Sequence, residues 1–139
     1  MKKTALLYFI FLSLFYACSN NDAVSGKPEN DVDAARMFIR SALDGKWKDA
    51  RKLIVQDSSN IEDLEVAERN YTERMNAMDQ RGYREAQITI HDTRKINDSA
   101  SVVIYSNTFK KERDSIKAVK SNGDWLVDLK YSFPNNHRQ

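Results

Sequence analysis

The chain has 139 residues, a formal charge of +2, 41% hydrophobic and 30% charged residues, one Cys, four Gly and two Pro. That length suits one domain, and so few Gly and Pro exclude collagen-like and Gly/Pro-rich low-complexity chains. One Cys excludes an internal disulfide framework and a multi-Cys zinc site. Without Lys2 and Lys3 the chain holds 20 basic against 20 acidic residues, so charge gives no reason to expect nucleic acid as a partner. Met1-Lys2-Lys3 is a short positive segment, and Thr4 to Ala17 then runs without a charge. A helix over those positions rises about 21 Å, short of the ~30 Å hydrocarbon core of a bilayer. Residues 1–17 therefore read as a signal peptide.

The end of that stretch is Leu14-Phe15-Tyr16-Ala17-Cys18, followed by polar Ser19-Asn20-Asn21-Asp22. It resembles a bacterial lipoprotein signal, in which a small residue precedes the lipid-modified Cys. Ala17 and Cys18 match, whereas Tyr16 stands where a small residue is usual. The resemblance implies that Cys18 becomes the first mature residue and carries diacylglycerol and an N-acyl chain such as palmitate. The membrane would then be a partner through this anchor. Ser19 is not the Asp that commonly holds lipoproteins at the inner membrane, so an outer-membrane lipoprotein facing the periplasm or cell surface is expected. Residues 18–30, the lipidated Cys and a polar stretch with Gly26 and Pro28, read as a flexible tether.

A single domain is expected over residues 31–133, with a tail over 134–139. Asn30 or Asp31 is placed to cap a helix whose Val32, Ala35, Phe38, Ile39, Ala42 and Leu43 form one apolar stripe, with Gly45 as its stop. Trp47, Ala50, Leu53 and Ile54 repeat the spacing in a shorter second helix. Asn60 is expected to cap a third, with Ile61, Leu64, Ala67, Tyr71, Met75 and Met78 on one face and its end near Gly82. Glu65, Arg69 and Glu73, spaced four apart, are expected to pair along its other face.

After Gly82 the period changes to two. Ala86, Ile88 and Ile90 alternate with Gln87, Thr89 and His91. Asn97-Asp98-Ser99 marks a turn, and Ala100 to Phe109 is a strand rich in β-branched residues. Lys110 to Asp114 is a charged connection and Ser115 to Lys120 a strand. Ser121-Asn122-Gly123-Asp124 is a tight turn, and Trp125, Val127, Leu129 and Tyr131 line one face of the last strand. Helices followed by a four-strand antiparallel meander define an α+β fold with the helices packed on one sheet face.

This order, with Ala42-Leu43-Asp44-Gly45-Lys46-Trp47-Lys48-Asp49-Ala50 and Val119-Lys120-Ser121-Asn122-Gly123-Asp124-Trp125-Leu126-Val127, resembles the nuclear transport factor 2-like (SnoaL-like, cystatin-like) domain of small uncharacterised bacterial lipoproteins. The first stretch is similar to the family's entry into its second helix and the other to its final hairpin. The strand that the family places between its helices is not legible. The resemblance implies a cone between helices and sheet.

The chemistry to be found is sparse. His137 lies in the tail, and His91 with Asp92 supplies only two adjacent strand residues, so neither a metal nor a cofactor is expected. Some enzymes of the resembling fold, ketosteroid isomerase-like ones among them, use an Asp base with a Tyr or Asp donor. Asp128 with Tyr71 or Tyr105 would be the counterparts, but Asp128 is out of phase with Trp125 and Val127 and is expected to face solvent. Trp47, Tyr71, Met75, Tyr105 and Trp125 are candidate pocket-lining residues, competing with a role in the core. Trp125 in particular is expected to meet the helical stripe of Phe38 and Tyr71. Asp98-Ser99-Ala100 and Asp114-Ser115-Ile116 resemble the acceptor triplet for O-glycosylation in some diderm bacteria, making Ser99 and Ser115 candidates. The reading that results is a membrane-anchored lipoprotein with a non-enzymatic binding or accessory domain for a protein or small-molecule partner. The alternatives are a SnoaL-like enzyme acting on a small apolar ligand and a cystatin-like inhibitor or immunity factor.

Overall fold

The computed structural model describes residues 26–132. The signal peptide, Cys18, the start of the tether and the tail lie outside the described residues.

Helix α1 (Asp31–Leu43) begins where Asn30 Oδ1 accepts the Asp33 N–H at 2.9 Å, with Asp31 and Asp33 complementing the helix dipole. Its Ala34, Ala35, Phe38 and Ile39 are buried. Gly45, at φ +71, turns the chain into α2 (Trp47–Lys52), and the Tyr71 ring fills the space that a side chain there would need.

The second helix is shorter than its spacing predicts. Leu53 and Ile54 leave it, and Ile54 forms a parallel bridge with Val127. The Val127 N–H donates to the Leu53 carbonyl at 2.8 Å, and the Val55 N–H to the Val127 carbonyl at 2.9 Å. This segment forms an isolated bridge and no strand of its own. Backbone pairing with an open sheet edge outweighs one further helical turn.

Helix α3 (Ser58–Arg69) is capped by Asp57, which accepts the Asn60 N–H at 2.9 Å, so the expectation of Asn60 as cap is corrected. Asn60 is fully buried inside the first turn, and its Oδ1 accepts the Leu129 N–H at 2.6 Å. The expected third helix is also not continuous. A π-helical turn (Asn70–Arg74) and extended Met75 interrupt it, and Asn76 caps α4 (Ala77–Glu85). Gln80 Nε2 donates to the carbonyls of Tyr71 and Met75 at 2.9 and 3.2 Å, satisfying acceptors that the break exposes. Met78 therefore leaves the apolar face and is 78% exposed. Gly82 lies within α4 instead of ending it. Glu65 pairs with Arg51 of α2 at 3.0 Å instead of with Arg69.

Strands β1 (Ile88–Asn97), β2 (Ala100–Asn107), β3 (Asp114–Ser121) and β4 (Asp124–Asp128) form the expected antiparallel meander in the order 1-2-3-4. A bulge at His91 shifts the β1–β2 register. Asn122 and Gly123 have φ of 51° and 87°, the primed turn that suits strand twist. The core joins Phe38, Ile39, Leu53, Ile54 and Leu64 to Val103, Ile116 and Val127 of the sheet and to Leu129 of the following 3-10 turn (Leu129–Tyr131). Burial of each such side chain contributes roughly 1.5–3 kcal/mol.

Candidate functional site

The helix-facing interior at the C-terminal end of α1 is aromatic. Trp47 and Tyr71 meet edge to face with ring centroids 5.5 Å apart. The Trp47 Nε1–H is buried with no oxygen or nitrogen acceptor among the described residues. The Tyr71 hydroxyl donates to the Leu43 carbonyl and accepts from Arg84 Nη1, each at 3.4 Å. Tyr105 of β2 packs against the same core from the sheet, and its hydroxyl donates to Asp114 Oδ2 at 3.4 Å. Burial, reinforced by the Asp114 carboxylate, pushes the Tyr105 hydroxyl far above its ordinary value, so it remains a neutral donor. Met75 is half-buried at the helix break.

Trp125 does not join this group. It is half-buried, stands cross-strand from Lys120 beside the Asn122-Gly123 turn, and lies outside the apolar core cluster. The expected contact with Phe38 and Tyr71 is therefore corrected. Trp125 follows Asp124, which pairs with Lys27 near the start of α1, whereas Tyr71 packs at the other end of that helix, against Gly45.

Asp128 is also corrected. Its side chain is only 16% exposed and lies 3.7 Å from Lys117 Nζ and 3.9 Å from Lys130 Nζ, with Asn60 Nδ2 donating to it at 3.5 Å. Strand phase places it away from the helix side, as the alternation predicts. The start of α3 and two lysines then cover it, which alternation does not reveal. Lys130 also pairs with Asp57 at 2.7 Å. That ammonium, with the Asn60 N–H second, lowers the Asp57 carboxyl to about 2.

His91 is exposed on its bulge, with Nε2 2.8 Å from Ser106 Oγ. Ser99 is exposed in the β1–β2 turn, and Ser115 is half-buried in β3. No group of three or more His, Cys, Asp or Glu among the described residues is placed to hold a metal ion. A surface groove follows Val66, Arg69, Asn70, Glu73 and Arg74, one stripe of α3 and the π-helical turn. No described helix is long and apolar enough to cross a membrane.

Sequence reasoning missed one further group, at the end of α4. The Arg40 guanidinium donates to the carbonyls of Ala86 at 2.6 Å, Arg84 at 3.1 Å and Tyr83 at 3.2 Å, and pairs with Asp44. It closes the helix C-terminus from outside, which only the fold could reveal.

The chain is an α+β domain with its helices packed on one face of a four-stranded antiparallel meander, the order expected of the nuclear transport factor 2-like arrangement. No protein-family model matches it. No curated protein matches it either. It is similar to a solved NTF-2 like protein of unknown function from Shewanella oneidensis MR-1, with 13% identity and a TM-score of 0.46 over 69% of this chain and 89% of that one.

Proposed function

We propose that this chain is a membrane-anchored lipoprotein whose α+β domain serves as a non-enzymatic binding or accessory module. One observation carries the module reading. The space between helices and sheet is occupied by Phe38, Ile39, Leu64, Val103, Ile116 and Val127, each less than one-tenth exposed. Asp128, the candidate base, is instead engaged with Asn60, Lys117 and Lys130 on the other side of the strand. The anchor rests on Ala17-Cys18 and the apolar stretch before them.

Labelled palmitate should enter the parent in a diderm bacterial host and not Cys18→Ser, and the parent should partition into detergent. A parent with an unmodified N-terminus overturns the anchor. Asp128→Asn and His91→Ala should each complement a deletion strain. Loss of complementation with normal fold and protein level overturns the non-enzymatic reading.

A further inference from the structure

The domain has two distinguishable ends. At one end, Lys27, the second described residue, pairs with Asp124 at 3.0 Å, and Ser101 Oγ donates to Asp31 at 2.6 Å. The chain thus enters beside the β1–β2 and β3–β4 turns. From there α1, 13 residues and about 20 Å long, carries the chain to the opposite end, where Arg40 reaches Ala86 just before β1.

That far end holds three of the four large apolar side chains that stand exposed among the described residues: Met78 at 78%, Tyr131 at 46% and Phe109 at 42%. Phe109 lies over Gly82, where an added Cβ would overlap its ring, and it meets Tyr83 edge to face with ring centroids 4.8 Å apart. Met78 is one turn earlier on the same side of α4. Tyr131 is at the same end, because the next residue, Ser132, donates its hydroxyl to the Ser115 carbonyl at 3.0 Å. The β2–β3 connection between them is held in shape. Asn107 Oδ1 accepts the N–H groups of Phe109 and Lys110 at 3.1 and 2.8 Å, and the Lys111 N–H donates to the Asn107 carbonyl at 2.9 Å. Lys110 pairs with Glu112 at 3.3 Å, while Lys111 and Arg113 have no carboxylate partner among the described residues.

We infer that this end is a docking surface for a protein partner presenting apolar side chains rimmed by carboxylates. Exposed apolar groups beside unpaired cations fit such a surface, and the hydrogen-bonded loop backbone lowers the entropic cost of binding. The inference rests on the binding-module reading above. With Cys18 anchored, the chain from Cys18 to Lys27 reaches at most about 30 Å even fully extended and enters at the opposite end, which disfavours a lipid surface as the occupant here. A glycan offers little to cover Met78 and Phe109.

The test treats envelopes carrying the full-length chain with a carbodiimide that joins amines to carboxylates without a spacer, and maps the adducts by mass spectrometry. The expected adduct links Lys110 or Lys111 to an Asp or Glu of a different protein. It should fall at least tenfold in Met78→Ser and Lys111→Gln and persist in Lys95→Gln. No adduct at these lysines, equal adducts at Lys48 and Lys95, or linkage to a second copy of this chain would overturn the inference. Palmitate incorporation is measured in the same cells. Its absence removes the anchor, while the adduct map still reports on this surface.

Discussion

The Asn60 side-chain oxygen accepts the Leu129 N–H at 2.6 Å across 69 residues of sequence, in a site from which water is excluded. This bond fixes the start of α3 against the end of β4, beside the Ile54–Val127 bridge. Asn60→Ala leaves that N–H buried and unpaired. The expected cost is about 1–3 kcal/mol, read as a lower denaturant midpoint with an unchanged slope. A midpoint equal to the parent's would remove this bond from the account of the fold.

Gly82→Ala should destabilise the domain, although the same exchange in an ordinary helix interior favours Ala by about 1 kcal/mol. The new methyl group would overlap the Phe109 ring, and such overpacking typically costs about 1–3 kcal/mol. In a Phe109→Ala background the sign should reverse, with Gly82→Ala stabilising. Thermal unfolding of the four variants tests this, and the same sign in both backgrounds would show that Phe109 does not lie over Gly82.

Asp57 links the cap of α3 to acid sensitivity. Its folded value, about 2, lies below the ordinary 3.8. Its contribution is therefore complete above pH 4 and is lost as pH falls toward 2. Asp57→Asn keeps a capping side chain but cannot pair with Lys130. The parent should be more stable at pH 7, the difference should shrink as pH falls from 4 through 2, and the two proteins should converge only below pH 2. The difference should stay below about 1 kcal/mol, because the pair is partly exposed and salt-screened. A gap as large at pH 2 as at pH 7 would assign the effect to the cap.

Two glycines with positive φ should respond differently. Gly123 has open space around its Cα, so Gly123→Ala incurs only the left-handed backbone cost of about 1–2 kcal/mol. Gly45→Ala adds a clash at 2.9 Å with the Tyr71 ring and should lower the melting temperature further. Equal losses would place Tyr71 away from the α1–α2 turn.

Local signals were legible in the sequence wherever one physical rule acted alone. The Asn30 cap, the apolar stripe of α1, the alternation of Ile88 and Ile90 and the primed Asn122-Gly123 turn all follow from backbone geometry and side-chain period. Helices before a meander then implied the α+β architecture. Where two local solutions competed, tertiary structure chose. Asp57 and Asn60 could each cap α3, and Leu129, arriving from β4, claimed Asn60. A helical stripe continued to Met78, yet the chain breaks at Met75, and Gly82 of the separate helix α4 meets Phe109. Period placed Asp128 off the core face but could not reveal the lysines and the Asn60 amide around it. Nor could it show Arg40 closing α4 or Trp125 standing apart from Tyr71. Those contacts join residues far apart in the chain, and their partners are set by how whole elements pack, which no local window contains.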